Sequence, residues 1–122
     1  MPKRLGILLS IFLIFISCDK EAIHEYYVQN YCEEVIIVNI LDLNNKSVSI
    51  EIAPNTEKLI YIGKIINAVY EDDITYFIKY ITIKKGNVIS NIDLLDYRIW
   101  RFEQISQFKA KSYLTVNPED FE

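Results

Sequence analysis

The stretch Val35-Ile36-Ile37-Val38-Asn39-Ile40-Leu41, followed by Asp42-Leu43-Asn44-Asn45-Lys46 and then Ser47-Val48-Ser49-Ile50-Glu51-Ile52, decides the fold class. Its first part is an almost unbroken apolar run, the pattern of a central strand buried on both faces. Its last part alternates strictly, which puts Val48, Ile50 and Ile52 on one face of an extended chain. The polar residues between them supply turn chemistry, because Asn tolerates left-handed backbone. Two strands joined in this way make a hairpin.

The same punctuation continues on either side. Residues 26–31 predict a first strand. Ala53-Pro54-Asn55-Thr56 breaks the pattern and residues 58–62 resume it. Residues 63–73 read as an irregular crossing. Residues 75–84 form the longest strand candidate, with Tyr76, Ile78 and Tyr80 on one face, and Lys85-Gly86-Asn87 turns it back into residues 88–92. Residues 93–98 are poorly patterned, with room for one helical turn. Residues 100–105 and 112–116 are the last strand candidates, and residues 117–122 read as a polar tail. Roughly seven short strands with a turn every 8–12 residues imply an all-β fold, a small antiparallel β-sandwich of immunoglobulin-like size. A small antiparallel β-barrel is the alternative. Abundant tyrosine (9) beside scarce glycine (3) and proline (3) agrees with strands rather than loops or low complexity.

The N-terminus carries a different signal. Met1-Pro2-Lys3-Arg4 is a short cationic segment, and residues 5–16 are apolar apart from Gly6 and Ser10. That run is too short for a bilayer span, which takes ~20 residues. Ser17-Cys18 follows, and charge begins at once with Asp19-Lys20-Glu21. A cationic start, a short apolar middle and a small residue at the end describe a signal peptide. Phe15-Ile16-Ser17-Cys18 resembles a bacterial lipobox of the relaxed, Bacteroidetes type, with Phe15 where leucine is usual. An Asn-rich early turn, the Ile-x-Ile-x-Pro-Asn-Thr-like segment at residues 50–56, and Tyr113-x-x-Val116 before an acidic Asp-Phe end are similar to small lipoproteins of that group.

The resemblance implies cleavage before Cys18 and acylation of that cysteine by chains such as palmitate. The protein would then sit at the cell envelope on the bacterial outer membrane, and the similarity of Asp19-Lys20-Glu21 to a surface-export signal implies exposure on the outer surface. Two or more acyl chains anchor stably where one does not. The expected organisation is a signal peptide at 1–17, a lipidated cysteine and tether at 18–25, and a single β domain at 26–122.

Charge narrows the partners. Of the 13 basic residues, Lys3 and Arg4 leave with the signal peptide, so 11 face 17 acidic ones, a net of −6. An acidic domain whose longest basic run is Lys84-Lys85 lacks the footprint of a nucleic-acid binder. Electrostatic adsorption to anionic lipid is disfavoured too, so the expected membrane partner is the bilayer reached through acylated Cys18.

Catalytic machinery is thin. His24, the one histidine, falls in the expected tether and reads as an exposed polar residue. Cys32 has no Cys-x-x-Cys partner and reads as a buried small hydrophobe. No phosphate-cradling glycine loop is present. The acidic triplet Glu71, Asp72 and Asp73 is a weak oxygen-ligand candidate for a cation, read first as a solvated turn. No cofactor is expected, and no catalytic residue is assigned.

The aromatic residues are the stronger lead. Tyr26, Tyr27, Tyr31, Tyr70 and Trp100 are candidates for an outward binding surface for a protein or glycan. Tyr76 and Tyr80 read instead as strand-face packing. The expected function is a binding or interaction module at the envelope. The alternatives are an inhibitor or immunity-type lipoprotein that blocks a toxin or hydrolase, and a structural envelope component.

Overall fold

Strict alternation needs a face to bury, and two such faces laid together make a core. The computed structural model describes residues 21–66 and 73–122. The expected signal peptide, Cys18, Tyr70, Glu71 and Asp72 lie outside the described residues. Within them are strands β1 (Glu21–Asn30), β2 (Ile36–Asp42), β3 (Ser47–Ile52), β4 (Glu57–Ile66), β5 (Ile78–Lys85), β6 (Val88–Ile89), β7 (Arg101–Ser106) and β8 (Lys109–Val116). Three short 3-10 segments, at Ile74–Tyr76, Tyr97–Ile99 and Pro118–Phe121, complete the regular structure described. The strands form two four-stranded sheets, ordered β4-β1-β8-β7 and β3-β2-β5-β6. The result is a small β-sandwich, not closed into a barrel.

The β2–β3 hairpin takes the expected register, with Val38 opposite Ile50 and Ile40 opposite Val48. Asp42 builds its turn. One carboxylate oxygen accepts from the backbone N–H groups of Asn44 (2.9 Å) and Lys46 (2.8 Å), and Asn45 takes the left-handed backbone (φ 63°). One expectation for β2 fails: Ile36, Val38 and Ile40 are buried, but Ile37, Asn39 and Leu41 are only half-buried. Their face looks away from the other sheet.

Further boundaries and orientations differ from expectation. The first strand begins at Glu21, so residues 21–25 belong to the sheet and not to a tether. Ala22 and His24 continue inward the alternation of Tyr26, Val28 and Asn30, and His24 is buried (1% exposed). Tyr76 lies in a 3-10 turn. The pairing of β5 with β2 shifts between Leu41–Tyr80 and Asp42–Ile78. This bulge breaks the parity that would have put Tyr80 beside Ile78, so Ile78 is buried while Tyr80 is 57% exposed. The C-terminal segment is docked rather than free: Phe121 is buried, the Asn117 backbone N–H donates to Asp120 (2.7 Å), and Asn91 N–H donates to the Asp120 carbonyl (2.8 Å). Finally, β1 and β8 pair in parallel, from Ile23 opposite Lys109 to Asn30 opposite Val116, so this sheet is mixed.

The core runs between the sheets and includes Tyr26, Val28, Ile36, Val38, Ile52, Ile83 and Val116. Asn30, fully buried, locks one end. Its side-chain amide donates to the carbonyls of Glu34 (2.9 Å), Ile52 (3.1 Å) and Ala53 (3.3 Å), and its side-chain oxygen accepts from Cys32 N–H (2.9 Å). A single side chain thus ties β1 to the end of β3 across the sandwich.

Candidate functional site

Two polar or aromatic clusters stand out, one on each face of the β4-β1-β8-β7 sheet. The inward cluster begins with parallel pairing, which sets Tyr26 opposite Ser112 and His24 opposite Ala110. His24 Nε2 and Ser112 Oγ share a hydrogen bond of 2.7 Å, and the Tyr26 hydroxyl lies 3.3 Å from His24 Nδ1. The His24 and Tyr26 rings stack at 4.2 Å between centroids. Phe77 and Phe102 meet the His24 ring edge-on, and Trp100 meets Tyr26 in the same way. Gly63, opposite His24 on β4, makes room for this packing, because a Cβ there would stand 2.6 Å from the Phe77 ring.

A serine, a histidine and a third group on the far ring nitrogen make up the parts of a nucleophilic triad. Here Ser112 and Tyr26 are 0% exposed and His24 1%. The hydroxyl offers no surface to a substrate carbonyl. As arranged, the three groups satisfy one another inside the core, which is what buried polar groups require.

The outward cluster lies on the same strands, displaced by one residue. Tyr27 and Tyr113 are register partners across the parallel pair. Their rings stack at 5.3 Å with 19° between planes. Arg101, the β7 partner of Tyr113, holds its guanidinium 4.4 Å from the Tyr113 ring centroid, and the Lys111 amine stands 5.4 Å from that of Tyr27. The Tyr27 hydroxyl donates to Glu25 (3.3 Å), and Lys109 pairs with the same carboxylate at 3.6 Å. Alongside, Thr115 donates to Gln29 (2.8 Å) and Gln29 to Glu57 (2.7 Å). Two adjacent rows of side chains therefore run over the outside of the sheet, one across β7, β8 and β1 and the other across β8, β1 and β4.

Partial burial, and then the negative Glu25, push the Tyr27 phenol above its ordinary range, with Lys111 pulling the other way. The phenol therefore stays neutral and keeps its proton for hydrogen bonding. Stacking and cation–π contact hold both rings in place before anything binds.

The other aromatic candidates divide. Tyr26 and Trp100 are buried and belong to the core, not to a surface. The Trp100 indole donates to the Leu94 carbonyl (2.9 Å). Tyr31 is 56% exposed but stands past the end of β1, beside Cys32, Glu33, Glu34, Lys85 and Pro118. Cys32 itself is buried and free, and burial pushes its thiol above the ordinary range. Of the acidic triplet only Asp73 is described. Its carboxylate is occupied as a cap, accepting from the Thr75 backbone (3.0 Å) and hydroxyl (2.7 Å). Among the described residues no three potential metal-ligating side chains come together.

Tyr113, Arg101 and Lys111 were absent from the sequence-derived candidates. The pairings of β8 with β1 and of β7 with β8 bring them to Tyr27, and alternation along β8 was the sole local hint.

A groove also runs along the open edge between β4 and the β2–β3 turn. Two adjoining hollows of about 400 and 370 Å³ share Tyr61 and Ile62 as walls. The Tyr61 hydroxyl reaches the second oxygen of Asp42 at 3.4 Å. Burial first, and then that carboxylate, push the Tyr61 phenol up.

Comparison with protein-family models, with curated proteins and with solved structures gives no match.

Proposed function

We propose that this chain is a lipid-anchored protein-binding module of the bacterial cell envelope, held to the outer membrane through acylated Cys18. The signal-like N-terminus and the lipobox-like Phe15-Ile16-Ser17-Cys18 support the anchor. The observation that carries the binding reading is the preordered Tyr27–Tyr113 stack with Arg101 and Lys111, on a sheet face over which no other described strand packs. Tyrosine and arginine held rigidly at the centre of a patch are the residues that dominate protein–protein hot spots. A sugar platform needs a free ring face. These ring faces are engaged by each other and by the two cations, which leaves hydroxyls and ring edges for a partner and favours protein over glycan.

The test is capture by the immobilised mature domain, residues 19–122, against Arg101→Ala and Tyr113→Ala variants of equal stability. One envelope protein held at equal stoichiometry by the parent and released by both variants is the expected result. Equal retention by all three would remove this face from the account. Retention of polysaccharide alone would replace the protein partner with a glycan.

A further inference from the structure

We infer that the end of the sandwich where β1 begins lies in the interfacial layer of the bilayer, with Leu43, Tyr76 and Ile105 in contact with lipid. This rests on the lipid-anchored reading above and adds an orientation to it. Three peptide steps separate Cys18 from Glu21, the first residue of β1. Fully extended, they span at most about 10 Å. The acylated cysteine is confined to the membrane surface, so Glu21 stays within that reach of it. Two stacked sheets are already about 10 Å apart, so the tether is no longer than the end it carries is wide and holds that end against the headgroups.

Register identifies what else lies at that end. Ile66 is opposite Glu21 and Lys64 opposite Ile23 on β4, while Lys109 is opposite Ile23 on β8. Ile105 sits in the β7 bulge, beside Ser106, the partner of Lys109. From the other sheet, Leu43 N–H donates to the Phe77 carbonyl (3.1 Å), and Phe77 packs on Gly63, opposite His24. Leu43, Tyr76 and Ile105 are 54%, 49% and 46% exposed. They are large apolar or amphipathic side chains that no other part of the described chain covers. Lys64 joins Leu43 and Tyr76 around one hollow. Aliphatic side chains beside tyrosine and lysine are the composition of membrane-interface anchors. Glu21 and Asp73 lie at this end as well, so the contact is apolar in origin and insensitive to salt.

The experiment uses acylated protein purified from membranes and placed in phosphatidylethanolamine–phosphatidylglycerol vesicles containing nitroxide-labelled lipid. Environment-sensitive fluorophores are attached at Leu43→Cys and Ile105→Cys. The comparison sites are Tyr31→Cys and Asn87→Cys, at the far end of β1 and at the β5–β6 turn. Buried Cys32 stays unlabelled, which the parent protein checks. The expected result is that the first two probes are quenched several-fold more strongly than the last two, with no change in high salt. Protein that floats with the vesicles while all four probes are equally unquenched would overturn the orientation alone. Protein that lacks acyl chains and does not float would overturn the anchor and the orientation together.

Discussion

Tyr26 and Tyr27 stand on opposite faces of one strand, and the two faces are built differently. Tyr26 is fully buried, stacked on His24 and walled by Phe77 and Trp100. Every neighbour there contributes to the core, and its polar atoms are turned to one another. Tyr27 also stacks on a partner, Tyr113, at a longer 5.3 Å, but it is only partly buried, and its other contacts are with charges. Inside, the aromatic rings supply stability. Outside, the same residue type supplies a fixed shape at little energetic gain, as expected where packing is one-sided and ion pairs are screened. A surface ordered without contributing much to stability is the kind of feature that binding explains.

The comparison is broken most strongly by truncation at the inner site. Tyr26→Ala should destabilise by about 3–5 kcal/mol, read as a fall in the urea midpoint, whereas Tyr27→Ala should cost about 1 kcal/mol or less. Similar losses for the two would mean that the outer stack is structural. Next in size, Asn30→Ala leaves several carbonyls without their donor and should cost about 2–3 kcal/mol in the same titration. Gly63→Ala drives a methyl group into the Phe77 ring and should cost about 1–3 kcal/mol. A change in the near-ultraviolet circular dichroism of the aromatic cluster should accompany it. A wild-type value for this variant would show that Phe77 has room to move.

The smallest effect is alkaline. Burial raises the Cys32 thiol, so the folded chain keeps a proton that the unfolded chain releases. Its contribution to stability is therefore complete below the ordinary thiol range. It is lost as pH rises from that range through the raised folded value. Urea midpoints measured from about pH 8 to 11 should fall, and Cys32→Ala should flatten part of the slope. The raised phenols of Tyr27 and Tyr61 add to the decline at the upper end.

Much of the inner face was legible in the sequence. The β2–β3 hairpin, its turn at Asp42–Lys46 and the inward set Val48, Ile50 and Ile52 follow from local alternation, which depends on neighbours two residues apart. What was not legible depends on distant partners. His24 reads as polar because nothing nearby announces Ser112, 88 positions away. Tyr80 reads as a partner of Ile78 because a bulge changes parity without changing composition. Phe121 reads as part of a tail because its cover comes from across the sandwich. The outer cluster was half legible: Tyr27 was a candidate on residue type alone, but its companions Tyr113, Arg101 and Lys111 come from strands that only the topology sets beside it.

The parallel pairing of β1 with β8 has one more consequence, and it concerns time. The first strand to leave the ribosome sits in its sheet between β4 and the last strand, which closes a loop of more than eighty residues. Such closures are slow. Any chain released short of residue 109 lacks the strand that completes the sheet, and β1 keeps one edge of hydrogen-bonding groups unpaired. The sheet is thereby completed only after β8 has been made, and β1 waits for its partner while the strands between them are synthesised.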